Sequence, residues 1–262
     1  MSETAAAVIR STANPQFKSI RLLAQDSTAW RKQGRVWLEG DHLCRAALAR
    51  GVQPELAVYA ESCPPHQHLA AAKTLVLADP LFAALSTLES PARMGFVIAV
   101  PAAAALDPHA ATVVLDRLQD AGNVGSVLRS AAAFGFRQVV ALKGSAALWS
   151  PKVVRAGMGA HFGLTLFDAA EPGLLDELRV PLLVTSSHGG ELLHRARLPW
   201  PCAWVLGHEG QGVSPELEQR AALRVRIEQP GGGEESLNVA AAAAICLHAS
   251  ATSVRPSTSA KL

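Results

Sequence analysis

Between residues 112 and 227, five short strand-like runs (112–115, 138–142, 182–185, 203–206 and 224–227), four of them apolar, recur with longer segments of helical character set between them. That alternation constrains the fold more than any other property of the chain. Each run is too short for a helix and most lack a polar face, so each is predicted to be a strand covered on both sides. Segments 124–134, 151–156 and 215–221 have the length and spacing of covering helices. Strand and helix in turn predict an α/β fold built on a parallel sheet.

A smaller alternation precedes it. Runs 36–38, 56–59, 75–77 and 96–100 read as strands, with helix-like stretches around 19–24, 42–50 and 80–85. Between the two lies 101–108, which begins with Pro101, ends with Pro108 and has neither a charged run nor an apolar period, as a linker would. The expected organisation is a small α/β domain over 1–105, a larger one over 110–251, and a disordered tail over 252–262 with its Ser, Thr and Pro. The 262 residues, 49% hydrophobic and 18% charged, suffice for a core in each domain and exclude the disordered class.

The longest uncharged apolar run, 239–247, is far shorter than the roughly 20 residues that span a bilayer. The first seven residues hold an acid and alanines without a basic flank, so no secretion signal is predicted and a cytoplasmic location is expected. Cys44, Cys63, Cys202 and Cys246 are widely separated and form no Cys-x-x-Cys pair; buried, reduced thiols are expected, with no metal site. The formal net charge of +2 is small but unevenly spread. Residues 1–50 hold eight Lys or Arg against four acids, leaving 16 against 18 elsewhere. Lys18, Arg21, Arg31, Lys32 and Arg35 are candidate phosphate contacts, with a solvated helix face as the bland alternative.

Ligands of open parallel sheets sit beyond the C-terminal ends of the strands, and three loops there are distinctive. After 112–115 comes a segment in which Asn123 is placed to cap a helix carrying Arg129 in its second turn. Gly207-His208-Glu209-Gly210-Gln211-Gly212 follows 203–206, its glycines allowing close backbone approach around one carboxylate. After 224–227, Gly231-Gly232-Gly233-Glu234-Glu235-Ser236-Leu237-Asn238-Val239 runs into an alanine-rich helix. Backbone N–H groups and two short polar side chains at a helix N-terminus suit a polar or anionic ligand, or form an ordinary cap.

Together these loops resemble the SpoU, or TrmH-like, family of RNA ribose 2′-O-methyltransferases within the SPOUT superfamily, over residues 112–251 and in the family's motif order. Asn123, Gly125, Arg129 and Phe134-Gly135 match the first motif. The second is matched by Gly207, Glu209 and Gly212, and the third by Ile227, Pro230 and the run Ser236 to Val239. Residues 153–160 resemble the segment between motifs one and two, with Gly157 where Ser is common. Residues 11–100 are similar to the small substrate-binding domain, related to ribosomal protein L30e, that many of these enzymes carry in front, through Asn14-Pro15 with Lys18 and Leu38-Glu39-Gly40.

The resemblance implies a C-terminal trefoil knot, an exception to the rule against threaded chains. It implies S-adenosylmethionine held by Gly207, Ile227, Ser236 and Leu237, with Thr185 at the preceding strand end. It also implies a homodimer whose active site is shared between subunits. The reaction would transfer a methyl group to a ribose 2′-hydroxyl of structured RNA, ribosomal rather than transfer RNA, with Lys18, Arg21 and Arg129 as RNA contacts. Arg129 is the family's central catalytic residue, and Asn123, Glu209, Ser236 and Asn238 would position it and the ribose. Arginine stays protonated in proteins, so Arg129 is expected to bind a neighbouring phosphate and stabilise the forming alkoxide rather than act as a base.

Other readings stand beside this one. Asn123 and Ser236 could serve only as helix caps, Glu209 only as an acceptor for loop N–H groups, and His208 reads as a bystander. A non-catalytic dimeric RNA-binding protein of the same fold is the main rival, opposed by the intact Arg129, Glu209, Ser236 and Asn238. A dinucleotide-binding fingerprint is misplaced and a Gly-Lys-Ser/Thr phosphate loop is absent from the sequence. The loop from Glu228 to Glu235 is longer than the family usually has, and its Pro is displaced from Ile227.

Overall fold

The structure is a computed structural model that describes residues 7–63, 71, 73–87, 89–102, 104–186, 189–231 and 236–253. Packing divides it into two compact units. One comprises the described residues up to Ala102 with Trp149–Phe162, and the other those from 103 to Leu148 and from Gly163 onward. Residues 232–235 of the glycine loop and residues 254–262 of the expected tail lie outside the described residues.

In chain order the first unit has β1 (Val8–Ile9), α1 (Pro15–Gln25), α2 (Ala29–Gln33), β2 (Arg35–Glu39), α3 (Asp41–Ala49), β3 (Leu56–Ala60), β4 (Thr74–Leu77), α4 (Asp79–Ala83) and β5 (Met94–Ala99). The sheet order is β1-β4-β3-β5-β2, with β5 antiparallel to both of its neighbours. Helix α1 starts where Asn14 accepts the N–H groups of Gln16 and Phe17 at 2.8 and 3.2 Å and Pro15 takes the first helical position. Its stripe of Phe17, Ile20, Leu23 and Ala24 is buried with Trp37, Val58, Leu77 and Phe82, which leaves Lys18 and Arg21 exposed on the other side. Two-residue β1 was not foreseen, being too short to show a period.

The second unit contributes β6 (Thr112–Leu115), α5 (Ala121–Ala133) and β7 (Gln138–Leu142). Next in the chain is α6 (Pro151–Gly157), which sequence order assigns to the second domain. Its packing on α1 and β2 groups it with the first unit. There follow β8 (Thr165–Ala170), β9 (Leu182–Thr185), β10 (Glu191–Leu192), β11 (Ala203–Leu206), α7 (Pro215–Arg220), β12 (Leu223–Arg226) and α8 (Val239–Ser253). The seven-stranded sheet runs β10-β12-β9-β11-β6-β7-β8, and every registered pair is parallel.

Strands β6, β7 and β11 are buried at every position, which is why they carry no polar face in the sequence. The expected strand 224–227 lies one residue earlier, leaving Ile227 beyond its end. Edge strand β8 was not foreseen: its residues are half-buried or exposed, Asp168 interrupts it, and Ala169 is left-handed at φ 52° beside a register shift against β7. On one face of the sheet, Leu175, Leu178, Val213 and Leu217 pack against Val114, Val140, Val184 and Val205. Strand alternation sends Trp204 to the other face, where its indole N–H donates to Ser250 Oγ of α8 at 2.9 Å.

Helix α8 is apolar all round, yet only the stripe Ala243, Cys246, Leu247 and Ser250 is buried. Thr252 and Ser253, assigned to the tail by composition, are its last residues, and their hydroxyls donate back to the carbonyl oxygens of His248 and Ser250. Burial pushes the Cys44 and Cys246 thiols up to about 12 and that of Cys202 to about 11, while Cys63 is only half-buried.

Candidate functional site

Because the sheet is parallel, the loops that follow β6, β9, β11 and β12 gather at one edge. After β11 the chain folds back on itself at once. A Cβ on Gly207 would lie 2.2 Å from both the Gly212 carbonyl carbon and the Val213 nitrogen, so only glycine permits the turn. His208 N–H donates to Gly212 O at 3.0 Å, and Gly212 N–H returns a bond to His208 O at 2.8 Å. Inside the loop His208 Nδ1 accepts the N–H groups of Gly210 and Gln211 at 3.0 and 3.3 Å, an arrangement that assigns the ring proton to Nε2. His208 is therefore part of the loop's internal frame.

Glu209 reaches across to the loop after β6. Its Oε1 accepts from Asp120 N–H at 3.1 Å and from Asn123 Nδ2 at 3.3 Å, and its Oε2 from Gln119 N–H at 3.4 Å. Burial raises the carboxyl pKa, but hydrogen bonds from its own N–H, Asp120, Asn123 and Gln119 outweigh this and hold it below the ordinary value of 4.5. A carboxylate so engaged is a positioning group, and a poor proton acceptor.

Two capping expectations are corrected. Asp120, at φ −73° and ψ 118°, caps α5 by accepting Asn123 N–H at 2.7 Å, and Asn123 lies within the first turn. Asn238 caps α8 by accepting the N–H groups of Ala240 and Ala241 at 2.9 and 3.3 Å, and Ser236 lies two residues further out. Freed from capping, the Asn123 side chain donates to Glu209 and accepts from Asn238 Nδ2 at 3.0 Å. One polar chain, Glu209 to Asn123 to Asn238, thus joins all three loops.

Beside it opens a cavity of about 940 Å³. Thr185, Gly207, Ile227, Ser236 and Leu237, the five expected cofactor contacts, all line it, as do Glu209 and Asn238. Val213 and Ala242 add apolar wall, and Glu218, paired with Arg224 at 3.1 Å, adds a second carboxylate. Such a lining suits a small amphipathic molecule that carries positive charge. No group of three metal-binding side chains occurs among the described residues.

Arg129 is not at this cavity. It is exposed in the third turn of α5, not the second, because the helix begins at Ala121; six residues from Asn123, it is turned by about 240°. It has no ion-pair partner among the described residues. Lys18 and Arg21 lie exposed on α1 of the first unit, Arg21 Nε donating to Gln25 Oε1 at 3.2 Å.

Sequence reasoning overlooked Arg117, whose side-chain contacts have no signature in composition. It follows β6 in the left-handed region at φ 60°, with Nε 3.0 Å from Oδ1 of buried Asp116 and Nη1 2.9 Å from Gln211 Oε1. Also unforeseen is a largely apolar cleft of about 610 Å³ along α8, lined by Leu193, Pro230, Ala244, Ile245 and Ala249, with His194, Glu228 and His248 at its polar positions.

The chain is similar in sequence and fold to known proteins. The 23S rRNA (guanosine(2553)-2′-O)-methyltransferase RlmP of Bacillus subtilis is 30% identical over 215 residues, 80% of this chain and 86% of that protein. A crystal structure of an RNA 2′-O ribose methyltransferase, 30% identical, superposes with a TM-score of 0.79 and covers 93% of this chain and 98% of its own. The AdoMet-bound rRNA methyltransferase of Sinorhizobium meliloti shares the fold at 24% identity, with a TM-score of 0.84 over 96% of this chain and 99% of its own. The model of the SpoU rRNA Methylase family matches residues 110–248, a span that contains all three loops and more than half of the sequence, and the chain belongs to that family.

Proposed function

We propose that this protein transfers a methyl group from S-adenosylmethionine to a ribose 2′-hydroxyl of ribosomal RNA. The observation that carries the reading is that Thr185, Gly207, Ile227, Ser236 and Leu237 line one cavity whose wall holds the Glu209–Asn123–Asn238 chain. The lining fits the donor: apolar side chains for the adenine, hydroxyls and loop backbone for the polar ends, and two carboxylates for its net positive charge. When bound, S-adenosylmethionine supplies an electrophilic methyl group on a sulfonium. Asn123 and Asn238 hold the edge of the cavity where the ribose must enter, and Glu209 fixes Asn123 in place.

Arg129 binds the RNA phosphate next to the target and stabilises the forming 2′-alkoxide, whose proton passes to a phosphate oxygen or water as the methyl group is transferred and S-adenosylhomocysteine leaves. Its place outside its own chain's cavity fits a homodimer in which each Arg129 serves the partner's donor site. The apolar cleft along α8, with Ile245 42% exposed, is a suitable dimer surface. The packing of α8 against α5 and β11 is consistent with the family's trefoil knot.

The smaller unit, with Lys18 and Arg21 on an exposed helix face, holds structured RNA through its phosphates. Among the described residues no helix is long and apolar enough to cross a membrane, and the proposed site of action is the cytoplasm. Calorimetry with S-adenosylmethionine and mapping of 2′-O-methylation in total RNA, with and without the protein, test the reading. A folded dimer that bound no donor would favour the RNA-binding alternative.

A further inference from the structure

We infer that Arg117 is a positioning residue that holds the Gly207–Gly212 loop in its donor-binding shape. Its guanidinium joins two parts of the chain. On one side Nε and Nη2 approach Asp116 Oδ1 and Oδ2 at 3.0 and 3.4 Å. On the other, Nη1 donates to Gln211 Oε1 at 2.9 Å, and Nη2 lies 3.5 Å from Gly212 O. Asp116 is buried at 3% exposure and has a second tie to the far end of the same loop, accepting Ser214 N–H at 2.6 Å. Both ends of the pairing thus engage the segment from Gln211 to Ser214.

Two further facts single out Arg117. A side chain other than glycine is held in the left-handed region at φ 60°, a conformation that needs compensation from the contacts it allows. Behind it Gly144 is kept clear, since a Cβ there would approach Arg117 Cγ to 3.2 Å. Arg117 does not line the cavity, whereas Gln211 and Gly212 do, so it acts on the ligand only through them. Glu209 ties the middle of the loop to Gln119, Asp120 and Asn123, and Arg117 ties its end to Asp116. With both ties the wall is fixed before a ligand arrives, and affinity is not spent on ordering it. Lysine has one ammonium in place of the planar fork and cannot span Asp116 and Gln211 together.

The inference rests on the reading that this cavity holds S-adenosylmethionine. Affinity for S-adenosylmethionine and for S-adenosylhomocysteine is measured by calorimetry on full-length wild type, Arg117→Gly, Arg117→Lys, Gln211→Ala and the Arg117→Gly/Gln211→Ala double variant. Glycine removes the φ strain along with the guanidinium, and Gln211→Ala leaves the Asp116–Arg117 pair in place, so a folded variant is available to carry the test. Each single variant is expected to bind both ligands about tenfold more weakly, the double variant scarcely worse than either single, because one shared tie is lost. For Arg117→Gly and Arg117→Lys the Michaelis constant for the donor should rise by the same factor while turnover at saturating donor changes by less than about threefold. Wild-type affinity in folded Arg117→Gly or Gln211→Ala, or additive losses in the double variant, would overturn the inference. Ala242→Phe, which fills the cavity, distinguishes the two failures: unchanged donor binding there would mean that the donor lies elsewhere.

Discussion

Asn238 donates its side-chain amide to Asn123 Oδ1 at 3.0 Å while its own carbonyl oxygen caps α8. One residue therefore starts a helix and bridges two loops, and the two duties can be separated. Asn238→Asp keeps the capping oxygen but turns the donor into an acceptor facing Asn123. Its unfolding midpoint should stay close to wild type while methyl transfer falls at least tenfold. Asn238→Ala loses both functions and should also cost about 1 kcal/mol of stability, measured by denaturant unfolding.

Replacing Gly207 with alanine places a methyl group where the Gly212 carbonyl carbon and the Val213 nitrogen lie, 2.2 Å away. The backbone must move, so donor binding should be lost even in protein that remains folded by circular dichroism. Calorimetry on Gly207→Ala that gave wild-type affinity would show that this loop does not shape the cavity.

Glu209 gives a pH dependence of defined sign. Its carboxyl titrates below 4.5 in the folded protein, so the stability it contributes is fully present above pH 4.5 and is lost as pH falls through its lowered native value. Unfolding measured against pH should show wild type above Glu209→Gln near neutrality, with the gap closing only below pH 4.5. A gap that did not change on acidification would mean that charge at this position contributes nothing.

Ser250 is buried beneath α8 and accepts the indole N–H of Trp204. Ser250→Ala leaves that donor buried without its acceptor and should cost about 1–3 kcal/mol in chemical unfolding. Removing both groups in Trp204→Phe/Ser250→Ala should cost less than the sum of the single changes, which a double-mutant cycle would reveal.

Arg129→Lys tests the role assigned to the guanidinium. If the planar fork binds a phosphate and the developing alkoxide together, turnover should fall about a hundredfold with donor affinity unchanged. Near-normal turnover by the lysine enzyme would remove any special guanidinium role.

Legibility in the sequence followed burial. Strands β6, β7, β9 and β11 were readable to the residue because a strand covered on both faces is uniformly apolar between polar loops. Half-exposed β8 and two-residue β1 and β10 carry no such pattern and were missed. At the site, motif spacing selected Gly207, Glu209, Ile227, Ser236, Leu237 and Asn238, which share one cavity, since the strands deliver their loops to one edge whatever the side chains do, but it also selected Arg129, which lies outside it. Spacing says nothing of which side chain turns toward which backbone. For that reason the capping duties of Asp120 and Asn238, the frame role of His208 and the two-sided reach of Arg117 are properties of the fold that spacing does not encode.

The polar link between Asn123 and Asn238 spans 115 positions of sequence. During synthesis at about 5–20 residues per second, a growing chain holds the first partner for on the order of ten seconds before the second exists. Until α8 has emerged, the sheet edge can form but its cavity lacks the wall carrying Leu237 and Asn238. Catalytic competence in this protein is therefore a late property of biogenesis, and a chain interrupted before Leu237 would lack part of the wall that holds its methyl donor.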